Sequence, residues 1–240
     1  MNNKCIAVIL SAGRGKRMGG SIQKQYMDLC GKPVLFYTLK AFEESEVIDQ
    51  VILVTGKDEL NEVRTAIVDA YGFRKVTQIV EGGKERYDSV FHALQWIQST
   101  QEPGEEFYLM IHDGARPFVD EGILRRLYEE VKRGKACVAG MPVKDTIKIV
   151  NENLEAEETP DRKKLWMVQT PQAFYGPLII EAYSKMMAGA HDQVTDDAMA
   201  VELMMKHPVR MVEGSYRNIK ITTPEDLLTA KAFIQEERRV

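Results

Sequence analysis

The chain has 240 residues, of which 44% are hydrophobic and 28% charged, and its net charge is −4. That length can bury a substantial core in one large α/β domain, and the balance is that of a globular enzyme, not of a disordered or fibrous chain. The slight acidity offers nothing global to attract nucleic acid or an anionic membrane.

The opening MNNKCIAVIL reaches glycine too soon for a signal peptide, and no apolar stretch is long enough to span a bilayer. A cytoplasmic location is expected. Cys5, Cys30 and Cys137 are odd in number and far apart, which suits reduced packing residues. His92, His112, His191 and His207 show no metal-ligand spacing with one another or with the cysteines.

In chain order, CIAVIL (5–10) reads as a strand, and after a loop a helix is expected from Pro33 to about Phe42. QVILVTG (50–56) then precedes a helical stretch from Glu59 to Tyr71. KVTQIV (75–80) precedes another from Arg86 to Ile97, where Val90, Leu94 and Ile97 fall at helical spacing. FYLMIHD (107–113) leads to a helix from Asp120 to Lys132, and ACVAGMPV (136–143) follows. These short, nearly continuous apolar runs suit strands buried on both faces, so a Rossmann-like, mostly parallel sheet between two helical layers is expected, as a single domain over 1–240. Ligands should collect beyond the carboxyl ends of its strands.

Residues 144–168 break that rhythm. Two short alternating segments surround a polar middle, which predicts a β-hairpin arm projecting from the sheet. Such a hairpin has marginal stability alone and invites a partner surface. Helices are expected at 177–188 and 196–206, strands at 208–213 and 218–222, and a final helix after Thr223-Pro224-Glu225. There Thr223 can cap, Pro224 occupies the first helical position, and Glu225 and Asp226 fall in the first turn.

The strongest local signal is Ser11-Ala12-Gly13-Arg14-Gly15-Lys16-Arg17-Met18-Gly19, directly after the first strand. Small residues let the backbone approach a ligand, and successive N–H groups can ring a phosphate. Arg14, Lys16, Arg17 and Lys24 give this loop a local basic excess that suits a polyphosphate. The Walker spacing is absent. The dinucleotide fingerprint fails because Met18 stands where its third glycine belongs, and VILVTGK ends without a ribose-binding acid, which disfavours an NAD-dependent oxidoreductase.

The run from Leu10 to Gly19 with Lys24-Gln25-Tyr26 resembles the signature loop of sugar-phosphate nucleotidyltransferases, and most of all the 2-C-methyl-D-erythritol 4-phosphate cytidylyltransferases of the non-mevalonate isoprenoid pathway. Many members of that family have Pro where this chain has Gln23, and many have Ala at Gly114. Further islands occur in matching order from Ile6 to about Phe233: Glu81–Val90, Ile111–Pro117, Pro142–Lys148, Asp161–Gln172 and Asn218–Thr222.

The resemblance implies transfer of CMP from CTP to a sugar-alcohol phosphate with release of pyrophosphate and the help of Mg²⁺. It implies Arg17, Lys24 and Lys220 as catalytic cations, and Ala12, Gly13, Gly15, Gly83, Arg86 and Ser89 around CTP. Asp113 is expected near the metal, through water or directly, and near the substrate. Arg116, Thr146, Arg162, Thr170 and Thr195 are expected toward the acceptor. Thr146 and Arg162 would reach a second subunit's site, so a homodimer through the arm is implied. A ribitol 5-phosphate cytidylyltransferase is the nearest alternative, and a noncatalytic nucleotide-binding regulator on the same fold is another.

Overall fold

The computed structural model describes residues 3–13, 23–102, 104–189 and 194–237. Strand β1 (Lys4–Leu10) has five consecutive buried residues, as its unbroken apolar run requires of a strand covered on both faces. A single turn at Lys24–Tyr26 leads into a two-stranded hairpin, β2 (Asp28–Leu29) and β3 (Lys32–Pro33). Helix α1 (Val34–Glu44) starts directly after Pro33, which cannot continue a ladder but readily precedes a helix.

The chain then passes through β4 (Gln50–Thr55) and α2 (Leu60–Val63), which widens into a π-type turn over Arg64–Asp69. Next come β5 (Val76–Glu81), α3 (Arg86–Thr100), β6 (Phe107–Asp113) and α4 (Glu121–Gly134). Helix α4 is capped by Asp120, whose carboxylate accepts the Ile123 N–H at 2.8 Å. The second half comprises β7 (Ala136–Pro142), β8 (Ile149–Val150), β9 (Ala156–Glu158), β10 (Trp166–Tyr175), α5 (Gly176–Met187), α6 (Asp197–Met205), β11 (Arg210–Glu213) and α7 (Pro224–Glu237).

Seven strands form one sheet in the order β11-β7-β10-β6-β1-β4-β5. All neighbours are parallel except β10, which runs antiparallel to both β6 and β7. Alternation along β1 divides the core. Ile9 packs with Leu35, Leu39 and Phe42 of α1 and with Ile123 and Leu127 of α4, whereas Val8 packs with Val90 and Leu94 of α3 and with Ile179 and Tyr183 of α5. Two helical layers therefore sandwich the sheet. A third, small cluster seats Ala230 and Ile234 of α7 against Leu29 and Val34.

Three expectations are corrected. Residues 218–222 are not a strand: Ile221 N–H donates to Ala115 O at 2.8 Å, but no ladder follows. Gln169–Tyr175 belongs to the sheet strand β10, where the sequence led to no strand being expected. The arm is also shorter than 144–168, because Trp166, Met167 and Val168 already pair with Pro142, Met141 and Gly140 of β7. Its tip is the β8–β9 ladder. Ile147, Ile149, Val150, Leu154, Trp166, Met167 and Val168 all lie exposed on or beside it.

Candidate active site

The carboxyl ends of β1, β4, β5 and β6 meet at one edge, since Leu10 pairs with Asp113 and with Val54, and Thr55 with Glu81. A cavity of ≈ 810 Å³ opens there. Its walls include eight of the residues expected from sequence: Ala12, Gly13, Lys24, Gly83, Arg86, Ser89, Asp113 and Lys220. Gln25, Gly56, Lys57, Glu81, Lys84 and Glu85 also border it. Arg17 and Gly15, with Arg14 and Lys16, lie outside the described residues.

Local chemistry explains how each wall is held. Gln25 is buried, and its Nε2 donates to Ser11 O at 2.6 Å and to Gly13 O at 3.2 Å, so the turn carrying Lys24 is stitched to the first loop. Tyr26 Oη donates to Glu59 Oε2 at 3.0 Å and lies 2.8 Å from Thr55 Oγ1, which anchors the same turn to the end of β4. Burial pushes the Tyr26 phenol up to about 12. Gln23, at the position that is often Pro in the resembled family, bonds to Glu59.

The glycine pair after β5 is demanded by the protein's own packing. A Cβ on Gly82 would lie 2.3 Å from Ala12 Cβ, and one on Gly83 would lie 2.1 Å from Asp88 Cβ. Ser89 Oγ accepts the Gly83 N–H at 3.0 Å and approaches Glu85 O at 3.2 Å, so this hydroxyl already closes the turn at the start of α3.

Charge concentrates on the opposite wall. Asp113 Oδ2 lies 2.9 Å from Lys220 Nζ and 3.6 Å from Arg116 Nε, and Oδ1 lies 3.6 Å from Arg86 Nε. Burial alone would raise this carboxyl, but Arg86, Lys220 and Arg116 together hold it well below the usual carboxylate range. Arg86 in turn forks onto Asp197, donating from Nη1 to Oδ1 at 2.8 Å and from Nη2 to Oδ2 at 2.7 Å. Burial by itself would lower the Arg86 guanidinium; Asp197 and then Asp113 raise it well above its ordinary value. Tyr183 Oη donates to Asp197 Oδ1 at 2.5 Å. Two carboxylates thus face three cations, leaving an excess of positive charge beside the cavity.

Asp197 was not among the residues expected from sequence; its neighbour Asp196 caps α6, accepting the Met199 N–H at 2.9 Å. Five other expected residues do not border the cavity of their own chain. Arg116 donates from Nη1 to Asn218 O at 2.8 Å. Thr170 is buried, with its hydroxyl engaged by Asp113 and His112. Thr146 and Arg162 are exposed on the arm, where Arg162 Nη1 donates to Lys144 O at 2.7 Å. Thr195 is exposed ahead of α6 and stands apart from the cavity as well, 3.7 Å from Met199 Sδ.

A glycine-lined cavity at the carboxyl edge of a largely parallel sheet, walled by a cationic cluster, defines a phosphate-ester-binding α/β protein of the nucleotidyltransferase class. Residues 5–236 match the family of 2-C-methyl-D-erythritol 4-phosphate cytidylyltransferases, and the chain belongs to that family. It is 46% identical over 235 residues to the enzyme of that name from Lachnoclostridium phytofermentans, covering 98% of each chain. It is 50% identical over 230 residues to the one from Lachnospira eligens, covering 95% of this chain and 98% of that one. Among solved structures it resembles the 4-diphosphocytidyl-2C-methyl-D-erythritol synthase of Anaerococcus prevotii. There the TM-score is 0.83 with 32% identity, covering 98% of this chain and 97% of that one. The family is one of cytidylyltransferases, and among the described residues no helix is long and apolar enough to cross a membrane.

Proposed function

We infer that this chain transfers CMP from CTP to 2-C-methyl-D-erythritol 4-phosphate, giving 4-diphosphocytidyl-2-C-methyl-D-erythritol and pyrophosphate. The observation that carries the reading is the cavity whose lining includes Lys24 and Lys220 together with the glycines that follow β1 and β5. A phosphate oxygen of the acceptor attacks the α-phosphorus of CTP, and the bond to pyrophosphate breaks. An acceptor phosphate is already ionised near neutral pH, so positioning and charge neutralisation carry the step, and no strong base is required. Lys24, Lys220 and Arg17 neutralise the α-phosphate and the leaving group. The backbone around Gly83 and the start of α3 selects the base, and fixed Arg86 supplies positive charge at that wall.

The donor set fits a magnesium ion that arrives with the triphosphate. No cluster of three or more metal-ligating side chains exists among the described residues. Asp113 offers one carboxylate at the cavity wall. Magnesium takes one or two carboxylates, with phosphate oxygens and water filling its shell. When bound, it would neutralise phosphate charge and orient the chain of phosphates.

The acceptor's phosphate is assigned to Arg116 and Thr195 of one chain and to Thr146 and Arg162 of a second copy, with the exposed apolar face of the arm covered in a homodimer. Thr170 supports Asp113. The test is pyrophosphate release from CTP and Mg²⁺ with methylerythritol 4-phosphate or ribitol 5-phosphate. Turnover with the first alone supports the reading; turnover with the second alone overturns the acceptor assignment and leaves the donor site intact. Silence with both, from folded protein that binds CTP, favours a noncatalytic nucleotide-binding role.

A further inference from the structure

Behind the charged wall, four residues from three separate segments (His112, Arg116, Thr170 and Asn218) join in a closed ring of hydrogen bonds, with Asp113 and Lys220 attached to it. His112 is wholly buried at the end of β6, with Nε2 3.1 Å from Arg116 O and Nδ1 3.0 Å from Thr170 Oγ1. A carbonyl oxygen can only accept, so the imidazole proton sits on Nε2, and Nδ1 of the neutral ring is an acceptor. Thr170 therefore donates its single hydroxyl proton to His112, and its oxygen accepts the Asp113 N–H at 3.0 Å. Arg116 Nη1 donates to Asn218 O at 2.8 Å, and Asn218 Nδ2 donates to Thr170 O at 2.9 Å, which closes the circuit. Lys220 follows two residues after Asn218 and pairs with Asp113 at 2.9 Å.

We propose that His112, Thr170 and Asn218 are positioning residues that set Asp113, Arg116 and Lys220 in register for the transfer step. The ring links β6, β10 and the loop before α7, and none of its three supporting residues borders the cavity. Each bond has one possible direction, so a change at any member disturbs the others. Buried hydrogen bonds that share members restrict one another's arrangement; among the described residues Asn218 Oδ1 and Arg116 Nε are the buried atoms of the network left without a hydrogen-bond partner. The three supported side chains act on the phosphates and not on the cytosine, so the ring governs turnover more than CTP affinity.

The inference rests on the transferase reading, and its test separates the two. Thr170→Val keeps the shape and removes both hydroxyl bonds. In a variant whose melting transition remains cooperative, kcat is expected to fall about 10- to 100-fold, as a displacement near 1 Å can cause. The KM for CTP should stay within about twofold, and Thr170→Ser should recover most of kcat. His112→Asn added to Thr170→Val should cost little more, because members of one network are not additive. Asn218→Ala serves the same comparison if the valine variant does not fold. Acylation of Lys220, followed by mass spectrometry, supplies a readout without turnover: its rate should rise in Thr170→Val as the pair with Asp113 loosens. Unchanged kcat and unchanged Lys220 labelling in a folded variant overturn the proposal, as does a loss carried by the KM for CTP. A silent parent enzyme with faster Lys220 labelling in the variant overturns the transferase reading and leaves the ring standing.

Discussion

The Arg86 guanidinium and the Asp197 carboxylate, far apart in sequence, meet through two parallel hydrogen bonds of 2.8 and 2.7 Å. Asp197 is fully buried and has no solvent to replace Arg86. Asp197→Ala would leave the half-buried Arg86 with Asp113 alone, at an expected cost of about 2 kcal/mol, below that of breaking a fully buried pair because Arg86 also borders the cavity. Urea unfolding should show a lower midpoint at unchanged slope. Calorimetric titration should show weaker CTP binding, because the wall that Arg86 forms loses its fixed point.

Lys24 is half-buried at the cavity rim, on a turn held by Gln25 and Tyr26. Lys24→Ala should therefore retain the fold while turnover drops about 100-fold, the size of effect seen when a preorganised donor is deleted. Pyrophosphate release measured beside a thermal melt checks both halves. Near-normal turnover would remove Lys24 from the mechanism.

Acid should destabilise the protein in two stages. Burial lowers His112 to about 4 in the folded chain, against 6.5 unfolded. Between those values the unfolded chain binds a proton that the folded chain refuses, so stability falls as pH falls, by about 3 kcal/mol at the lower end. Below about 4 the loss continues, because Asp113 stays ionised in the fold while the unfolded carboxyl protonates. Denaturation curves from pH 7 to 4 should follow this, and His112→Asn should flatten the first stage.

The arm's apolar residues predict an association that can be broken without touching the donor site. Ile149→Glu combined with Leu154→Glu should yield a monomer in sedimentation velocity. Both residues are exposed in the single chain, so its stability should change by less than about 0.5 kcal/mol. CTP binding should persist while transfer is lost. A dimer that survives both substitutions would move the interface elsewhere.

Much of this was legible in the sequence because the strands are buried on both faces. CIAVIL and FYLMIHD admit hardly any other reading, and the glycine-rich turns that follow β1 and β5 mark the cavity. Strand β10 was not legible, since Gln169, Thr170, Pro171 and Gln172 hide the apolar signal; these polar side chains are buried in bonds to distant partners such as Ser215, His112 and Asp196. Ile219 and Ile221 gave the opposite error. Their alternation mimics a strand, but they pack under α7 in an unpaired loop. Asp197 escaped because only the folded chain brings α6 to Arg86.

The pairing of Pro142 with Trp166 has a consequence for how this enzyme could change. The arm leaves and re-enters the sheet at adjoining positions, so it is a closed excursion whose ends are pinned by neighbouring strands. The entropy of closing such an excursion rises only with the logarithm of its length. Residues can be gained or lost at its tip without shifting the register of β7, β10 or β6. On the proposed dimer, reach toward the neighbouring copy would be free to vary while the cavity stays fixed, giving evolution a separate dial at the acceptor side.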